Sequence, residues 1–122
     1  MSDLADRICQ PPRKGDRALS ETEIAGLLPS LPDWCVVERD SIPRLERSYQ
    51  FPDFKEALGF ANLVGELAEK EDHHPAVLIS WGRAAVSWWT FSIDGLHEND
   101  FILAARTDLL FQDKNTRIPS RG

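Results

Sequence analysis

Residues 53–93, DFKEALGFANLVGELAEKEDHHPAVLISWGRAAVSWWTFSI, contain the pattern that decides the fold. Asp53 can cap a helix whose apolar residues recur every three or four positions, at Phe54, Leu58, Ala61, Val64 and Leu67. Two runs rich in β-branched and aromatic residues follow at 76–81 and 84–93, separated by Gly82 and Arg83. The stretch therefore predicts a long helix to about Lys70 and then a β-hairpin.

The residues before this stretch predict a short helix and another hairpin. Ser20 and Glu23 match a capping box, and apolar residues follow at helical spacing, at Ile24, Leu27, Leu28 and Leu31. Pro29 and Pro32 end that helix early. Residues 34–38 and 45–51 carry enough aromatic, valine and leucine side chains to pair as two strands across a turn at 40–43.

A third helix is predicted after the turn at Asp94 and Gly95. It should end near Phe111, because apolar residues recur at helical spacing at Phe101, Ile102, Ala105 and Leu109. The predicted order is αββαββα. We expect an α+β domain, a four-stranded antiparallel sheet with three helices on one face, because each element must bury its apolar side.

The two ends of the chain differ in composition from its middle. Within residues 1–19, the segment 10–16 combines proline, glycine and charge with no apolar period, which predicts a mobile N-terminal arm. The domain itself is predicted at 20–111. Residues 112–122 should form a mobile tail made basic by Lys114, Arg117 and Arg121, which is either a solvated end or a docking segment.

Length, charge and cysteine content exclude several classes of protein. The chain has 122 residues and a net charge of -6, which disfavours direct binding to a phosphate backbone. We see neither a secretory signal pattern nor an apolar run long enough to span a bilayer, and we expect a cytoplasmic protein. Cys9 and Cys35 lack metal-site spacing, so two thiols in a reducing compartment are the simplest interpretation.

Ionisable residues concentrate where the long helix gives way to a strand, in residues 69–75, EKEDHHP. Histidine titrates near neutral pH, so His73 and His74 beside several acids suit proton transfer without a metal. Pro75 pushes His74 out of the helical region, and spacing does not show which way either ring faces. The same residues also fit solvated charges at a helix C-terminus. A zinc site is disfavoured, because no cysteine pair or HExxH pattern completes a ligand set.

Three tryptophans are the other unusual feature. The faces of Trp81, Trp88 and Trp89 could stack on a flat heterocycle, although a single tryptophan more often packs in a core. Adjacent strand residues point to opposite faces of a sheet. At least one of Trp88 and Trp89 is therefore expected in the core or at a subunit interface.

The histidine segment belongs to a longer pattern of specific spacing. Glu69-x-x-x-His73-His74 is followed by proline, five residues and Trp81, and Asp100 comes later. With residues 45–54, LERSYQFPDF, and 95–101, GLHENDF, the pattern covers roughly residues 20–110. It resembles that of the pterin-4a-carbinolamine dehydratases.

The resemblance implies a lyase that removes water from 4a-hydroxytetrahydropterin and gives quinonoid dihydropterin, with no metal and no bound cofactor. One group must protonate the leaving hydroxyl while another accepts a proton from a ring nitrogen. By the family pattern His73 would be an acid–base catalyst, His74 would hold the pterin and Glu69 would orient the site. Trp81 and Asp100 would be secondary, substrate-binding residues.

The chain departs from the family pattern at the third active-site histidine. Phe91 occupies that position, where it should line the pocket but cannot transfer a proton. Asp94 and Gly95 stand where the family commonly has two glycines. His97 is expected to open the last helix rather than to replace the missing imidazole.

Two functions fit this departure. The first is a slow dehydratase that acts on a pterin. The alternative is a non-catalytic, protein-binding member of the family, which is implied to include a dimerisation cofactor of a homeodomain transcription factor and assembly factors for Rubisco in carboxysomes. We rank the assembly role above transcription. The resemblance also implies a homodimer or homotetramer, which an open sheet edge would favour.

Overall fold

The computed structural model describes residues 3–11 and 15–120, with side chains described up to residue 113. The elements are α1 (Glu21–Leu27), β1 (Cys35–Arg39), β2 (Ile42–Gln50), α2 (Phe54–Glu71), β3 (Ala76–Ser80), β4 (Arg83–Trp88) and α3 (Glu98–Ser120). The strands form one antiparallel sheet in the order β1-β2-β4-β3. The predicted α+β fold and the order αββαββα are confirmed.

The core lies between one face of the sheet and the helices. The register pairs Leu45 with Trp88 and Tyr49 with Ala84, so these side chains alternate onto the same face, where all four are buried. Helices α2 and α3 cover that face, and partly buried side chains of α1 pack against the same cluster. Both α2 and α3 contact β4 directly.

The predicted caps of the first two helices are confirmed. The Ser20 hydroxyl accepts a hydrogen bond from the Glu23 N–H, and the Glu23 side chain accepts one from the Ser20 N–H, which completes a capping box. At the start of α2, the Asp53 carboxylate accepts a bond from the Glu56 N–H at 2.8 Å.

The first hairpin turns more tightly than the sequence indicated. Asp40 and Ser41 both have positive φ, 52° and 66°, as a two-residue type I′ turn requires. Pro43 therefore lies in β2, paired with Glu38, instead of in a turn at 40–43. Proline fits there because β4 pairs with β2 only from Leu45 onward, so β2 has a single neighbour at this point.

A largely buried carboxylate on α3 joins this helix to the sheet. Asp108 accepts hydrogen bonds from Arg47 at 2.7 Å, from the Tyr49 hydroxyl at 2.6 Å and from the Trp34 indole at 3.0 Å. Burial, with the Asp108 charge, raises the pKa of Tyr49, so the phenol stays a neutral donor. The network sets how α3 lies across β2.

The third helix is longer than the sequence predicted. We expected its end near Phe111, but the backbone is helical to Ser120. The residues after Phe111 are mostly polar, so apolar spacing does not mark where the helix ends. The docking role considered for Lys114, Arg117 and Arg121 concerns side chains outside those described. None of the helices in the described ranges is both long and apolar enough to cross a membrane.

Residues 3–11, here called the arm, pack against α3. A short 3-10 helix at its start buries Leu4, which is 1% exposed. The Arg106 guanidinium on α3 donates to the carbonyls of Ala5 at 3.1 Å and Arg7 at 2.5 Å. A single leucine and backbone carbonyls make these contacts, so the sequence shows no periodicity that would reveal them. The remainder of the predicted mobile segment at 1–19 includes residues 1–2 and 12–14, which lie outside the described ranges.

Candidate active site

The end of α2 separates the two adjacent histidines. Asp72 takes a left-handed conformation, with φ of 51°, and stops the helix. The His73 N–H then bonds to the carbonyl of Ala68 at 3.1 Å. As a result the His73 side chain turns inward and is 11% exposed, whereas that of His74 is 55% exposed.

His73 is held by a buried carboxylate. Its Nε2 lies 2.7 Å from Oδ1 of Asp100, whose side chain is completely buried. The other oxygen, Oδ2, accepts hydrogen bonds from the Thr90 hydroxyl at 2.8 Å and from the His97 N–H at 2.9 Å. The His73 ring also stacks on Trp88, with centroids 6.0 Å apart.

These contacts indicate which ring nitrogen of His73 is free to accept a proton. Thr90 and the backbone of His97 are both donors, so Asp100 acts as an acceptor toward each of them. With Nε2–H donating to Asp100 as well, the neutral imidazole carries its proton on Nε2. Nδ1 is then the proton acceptor, which is how a buried carboxylate prepares a histidine as a general base.

A cavity of about 410 Å³ lies next to this histidine. Its lining residues come from the α2–β3 link and from the segment after β4, namely Asp72, His73, His74, Trp89, Thr90, Phe91 and Ser92. The family spacing predicted that Phe91 would lie here, and the structure places it here. The Phe91 ring is 80% exposed, so it stands at the rim.

Glu69 contacts His74 instead of His73. The carboxylate lies 2.5 Å from His74 Nε2, and both side chains are more than half exposed. The two residues line an open groove of about 810 Å³ along α2, beside Pro75 and Val77. His74 therefore belongs to both this groove and the His73 cavity, whereas Glu69 lines only the groove.

Two of the predicted substrate-binding residues do not line the His73 cavity. Trp81 sits in the β3–β4 turn, is 75% exposed and lines none of the cavities described here. Asp100 lies beneath the cavity, fully buried, and touches His73 rather than open space.

Of the adjacent tryptophans, Trp88 is in the core, where its indole donates to Thr107 at 3.1 Å. Trp89 reaches the cavity, and the Arg44 guanidinium lies 3.9 Å from its ring centroid.

The turn beside the cavity accommodates Asp94 at a position where the family commonly has glycine. Thr90 and Gly95 form an isolated bridge, and Asp94 between them has a φ of 49°. This left-handed conformation favours glycine, and aspartate is among the few other residues that adopt it. His97 opens α3 as expected, accepting a hydrogen bond on Nδ1 from the Asn99 N–H at 3.0 Å.

Sequence reasoning missed the part that the arm plays at this site. A cavity of about 320 Å³ is lined by Cys9, Gln10 and Pro11 together with Lys70, Glu71, Asp72, His73 and Asn99. Burial raises the pKa of the Cys9 thiol, which disfavours a reactive thiolate. Sequence reasoning also missed that Thr90 bonds to Asp100 and that Trp88 stacks on His73. These contacts depend on the folded structure and leave no pattern in the sequence.

Nothing in the described part of the chain forms a group of three or more histidine, cysteine or acidic side chains that could hold a metal ion. Cys9 and Cys35 are both free thiols.

The fold and the site together define a small α+β protein in which a histidine, held by a buried aspartate, lies beside a pocket. Residues 17–110 match the family described as Pterin 4 alpha carbinolamine dehydratase, and the chain belongs to that family.

Relatives of similar length support this assignment. A protein from Microcystis aeruginosa, provisionally named pterin-4-alpha-carbinolamine dehydratase, is 49% identical over 94% of this chain and 99% of its own length. One of the same name from Chlorobium luteolum is 46% identical, covering 93% of this chain and 99% of its own.

Two solved structures share the fold. A crystal structure from Brucella melitensis, described as a transcriptional coactivator/pterin dehydratase, superposes with a TM-score of 0.70 at 33% identity, covering 77% of this chain and 98% of that one. A pterin dehydratase-like protein described as a RuBisCO assembly factor in the alpha-carboxysome has a TM-score of 0.54 at 19% identity. It covers 64% of this chain and 88% of that one.

Proposed function

We propose that the protein dehydrates 4a-hydroxytetrahydropterin to quinonoid dihydropterin, with His73 as its acid–base group. The observation that carries the proposal is the hydrogen bond of His73 to the buried Asp100. A carboxylate at this place fixes both the tautomer and the orientation of the ring, and the ring adjoins a cavity. A solvated helix end would give no reason to bury a charged partner.

The reaction needs only proton movements. The hydroxyl leaves carbon 4a as water, and the neighbouring ring nitrogen loses its proton as the carbon–nitrogen double bond forms. Nδ1 of His73 accepts the nitrogen proton, and the imidazolium, stabilised by Asp100, returns a proton to the departing oxygen. The sum is one water lost, with no redox change and no cofactor consumed.

Phe91 limits the rate that we expect for this dehydration. Where the family pattern has a second imidazole, the cavity has an aromatic ring that offers a face for stacking but no proton. His73 must therefore serve both proton transfers, or share one with water. A single acid–base group contributes about 10²- to 10⁴-fold, so we expect a slow enzyme on a reaction that also proceeds unaided.

The remaining site residues receive binding roles. His74 and Trp89 border the cavity from two sides, and Glu69 restrains the exposed His74 ring. In this proposal the flat pterin ring lies against Trp89 and Phe91. Trp81 has no part in it, because it lines neither cavity next to His73.

The test compares two adjacent histidines on freshly generated 4a-hydroxytetrahydropterin, with the uncatalysed rate subtracted. His73→Asn should reduce kcat to near background. His74→Asn, the matched control in the same link, should mainly raise KM. Equal kcat for His73→Asn and wild type would refute the proposal, as would a wild-type rate no higher than background.

A second candidate function is protein binding, favoured by the 80% exposure of the Phe91 ring. An exposed aromatic in place of a catalytic group suits contact with a protein client, and the fold is shared with a protein described as a RuBisCO assembly factor. Binding to purified Rubisco, measured by biolayer interferometry, should then weaken at least tenfold in Phe91→Ala. No binding by the wild-type protein would exclude this client.

A further inference from the structure

The side chain and the backbone of His97 form a reciprocal cap at the start of α3. The ring nitrogen Nδ1 accepts a hydrogen bond from the Asn99 N–H at 3.0 Å, and the His97 N–H donates to Oδ2 of Asp100 at 2.9 Å. At most helix starts a side-chain oxygen of serine, threonine, aspartate or asparagine accepts the first of these bonds. Histidine differs from serine and threonine here because its acceptor nitrogen takes up a proton near neutral pH.

Two side chains of the same helical turn hold the arm. Glu98 pairs with Arg7 at 2.6 Å. Oδ1 of Asn99 accepts a hydrogen bond from the Gln10 N–H at 2.9 Å, and Nδ2 of Asn99 donates to the Gln10 carbonyl at 2.5 Å. The residue whose backbone is capped by the His97 ring is therefore the one whose side chain binds the arm on both sides of a peptide unit.

Protonation of the His97 ring removes the cap. A neutral imidazole with its proton on Nε2 keeps a lone pair on Nδ1, whereas an imidazolium carries a proton on both nitrogens and only donates. The Asn99 N–H then has no acceptor in the ring, and the helix dipole opposes a positive charge at this end. The bond from the His97 N–H to Asp100 does not involve the ring, and Asp100 is also held by Thr90. The loss therefore falls on Asn99 and the arm.

Charged groups near the ring act on its protonation. Nε2 of His97 lies 3.9 Å from Oδ2 of Asp16, so this carboxylate favours a proton on the ring, whereas the Asn99 N–H opposes one. The Leu19 N–H bonds to the Leu96 carbonyl at 2.8 Å, which places residues 16–19 beside the start of α3. Among the described residues, the other charged side chains on these two segments and on the facing part of the arm are Arg17, which pairs with Glu23, Asp94, Asp100, and the pair of Glu98 with Arg7.

We propose that His97 is a pH switch for the arm: its neutral ring caps α3 and keeps the arm docked, and a proton on Nδ1 releases the arm. Release withdraws Cys9, Gln10 and Pro11 from the cavity of about 320 Å³ beside His73 and opens that side of the histidine to solvent. The change falls between about pH 8 and 5, where histidines in proteins gain their charge. The switch depends on the cap alone, so it holds whether or not the protein is a dehydratase.

The rate of alkylation of Cys9 by iodoacetamide, in a Cys35→Ser background, measures release of the arm. His97→Thr is the comparison, because its hydroxyl caps a helix and does not titrate in this range. The ratio of the two rates cancels the titration of the thiol, which both proteins share, and that of His73 and His74. The ratio should be close to one at about pH 8. At about pH 5.5 the protein with His97 should react about three- to tenfold faster, the value of one helix cap. A ratio that does not change with pH would show that His97 is not the switch.

A nuclear magnetic resonance titration tests the cap without a substitution. The amide proton of Asn99 should change its chemical shift with the same midpoint as the ring protons of His97, because the bond between them is lost on protonation. An Asn99 resonance that stays in place while the His97 ring titrates would overturn the proposal.

Asp16→Asn separates the cap from the neighbouring carboxylate. The pH dependence of Cys9 alkylation, again taken as the ratio to a protein that also carries His97→Thr, should persist in this variant. Its midpoint should move to lower pH, because a charge that favours the proton is gone. If the pH dependence instead disappears, the contact between Asp16 and His97 controls the arm and the cap does not.

Discussion

Nε2 of His73 and Oδ1 of Asp100 lie 2.7 Å apart, although one residue follows α2 and the other belongs to the first turn of α3. Asp100→Asn should therefore lower kcat by about 10²-fold or more, because an amide does not fix the Nε2–H tautomer or stabilise an imidazolium. KM should change little, since Asp100 does not line the cavity. Thermal unfolding of the variant checks that the loss is not one of folding, and an unchanged kcat would contradict the role given to Asp100.

Phe91→His should raise the rate of dehydration. The side chain stands on the His73 cavity, so the new imidazole would lie where a second acid–base group can act. A positioned group of this kind contributes about 10²-fold or more. Phe91→Leu is the matched control and should not raise kcat, because leucine adds no group that can transfer a proton. A wild-type protein as fast as the histidine variant would show that Phe91 does not limit catalysis.

Asp108→Ala should destabilise the fold by about 2–4 kcal/mol, because it leaves the donors of Arg47, Tyr49 and Trp34 without their shared acceptor. Urea denaturation gives the value. Arg39→Ala removes an ion pair of an exposed side chain on the open face of the sheet and should cost much less. Similar costs for the two variants would contradict a structural role for the Asp108 network.

Glu23 should give the stability a specific pH dependence. The Ser20 N–H, with help from Arg17, lowers the pKa of Glu23 from 4.5 to about 2 in the folded protein. Its contribution is therefore present above about pH 4.5 and is lost as the pH falls toward 2. The difference in unfolding free energy between wild type and Glu23→Gln should shrink over that range. Ser20→Ala keeps the backbone N–H that bonds to Glu23, so this variant should show the same pH dependence of stability as wild type. If the difference in unfolding free energy between wild type and Glu23→Gln stays constant from pH 4.5 to 2, the prediction is wrong.

The protein should form a dimer or a tetramer. In the sheet order β1-β2-β4-β3, both β1 and β3 are edge strands with one partner each among the described residues, and such edges invite pairing with another copy. Light scattering at micromolar concentration should give a multiple of 13.8 kDa. A mass of 13.8 kDa alone would contradict the prediction.

Local patterns predicted the fold. The stripe from Phe54 to Leu67, the two caps and the alternation of the strands depend on neighbours in sequence, so they can be seen without a structure. The resemblance to the family implied that Phe91 lies at the pocket, and Phe91 lines the cavity beside His73.

Long-range contacts could not be predicted in the same way. Whether Asp100 would face a ligand or lie buried beneath His73 depends on how α3 crosses the sheet, which no short pattern encodes. The exposure of Trp81 follows from its place in a tight turn rather than in a strand. For the arm, one buried leucine, the Arg7–Glu98 ion pair and hydrogen bonds to backbone groups make the contacts, and none of these has a periodic signature.

The attachment of the arm has a consequence for the order in which the molecule folds. The bond from Arg106 to the Ala5 carbonyl joins residues 101 positions apart and the Gln10–Asn99 pair spans 89, whereas His73 and Asp100 are separated by 27. Contacts that close long loops form late, after the shorter loops have already shortened the effective path. The arm, although it comes early in the sequence, is then among the last segments to dock, and a refolding chain forms the His73–Asp100 contact before the arm closes its cavity.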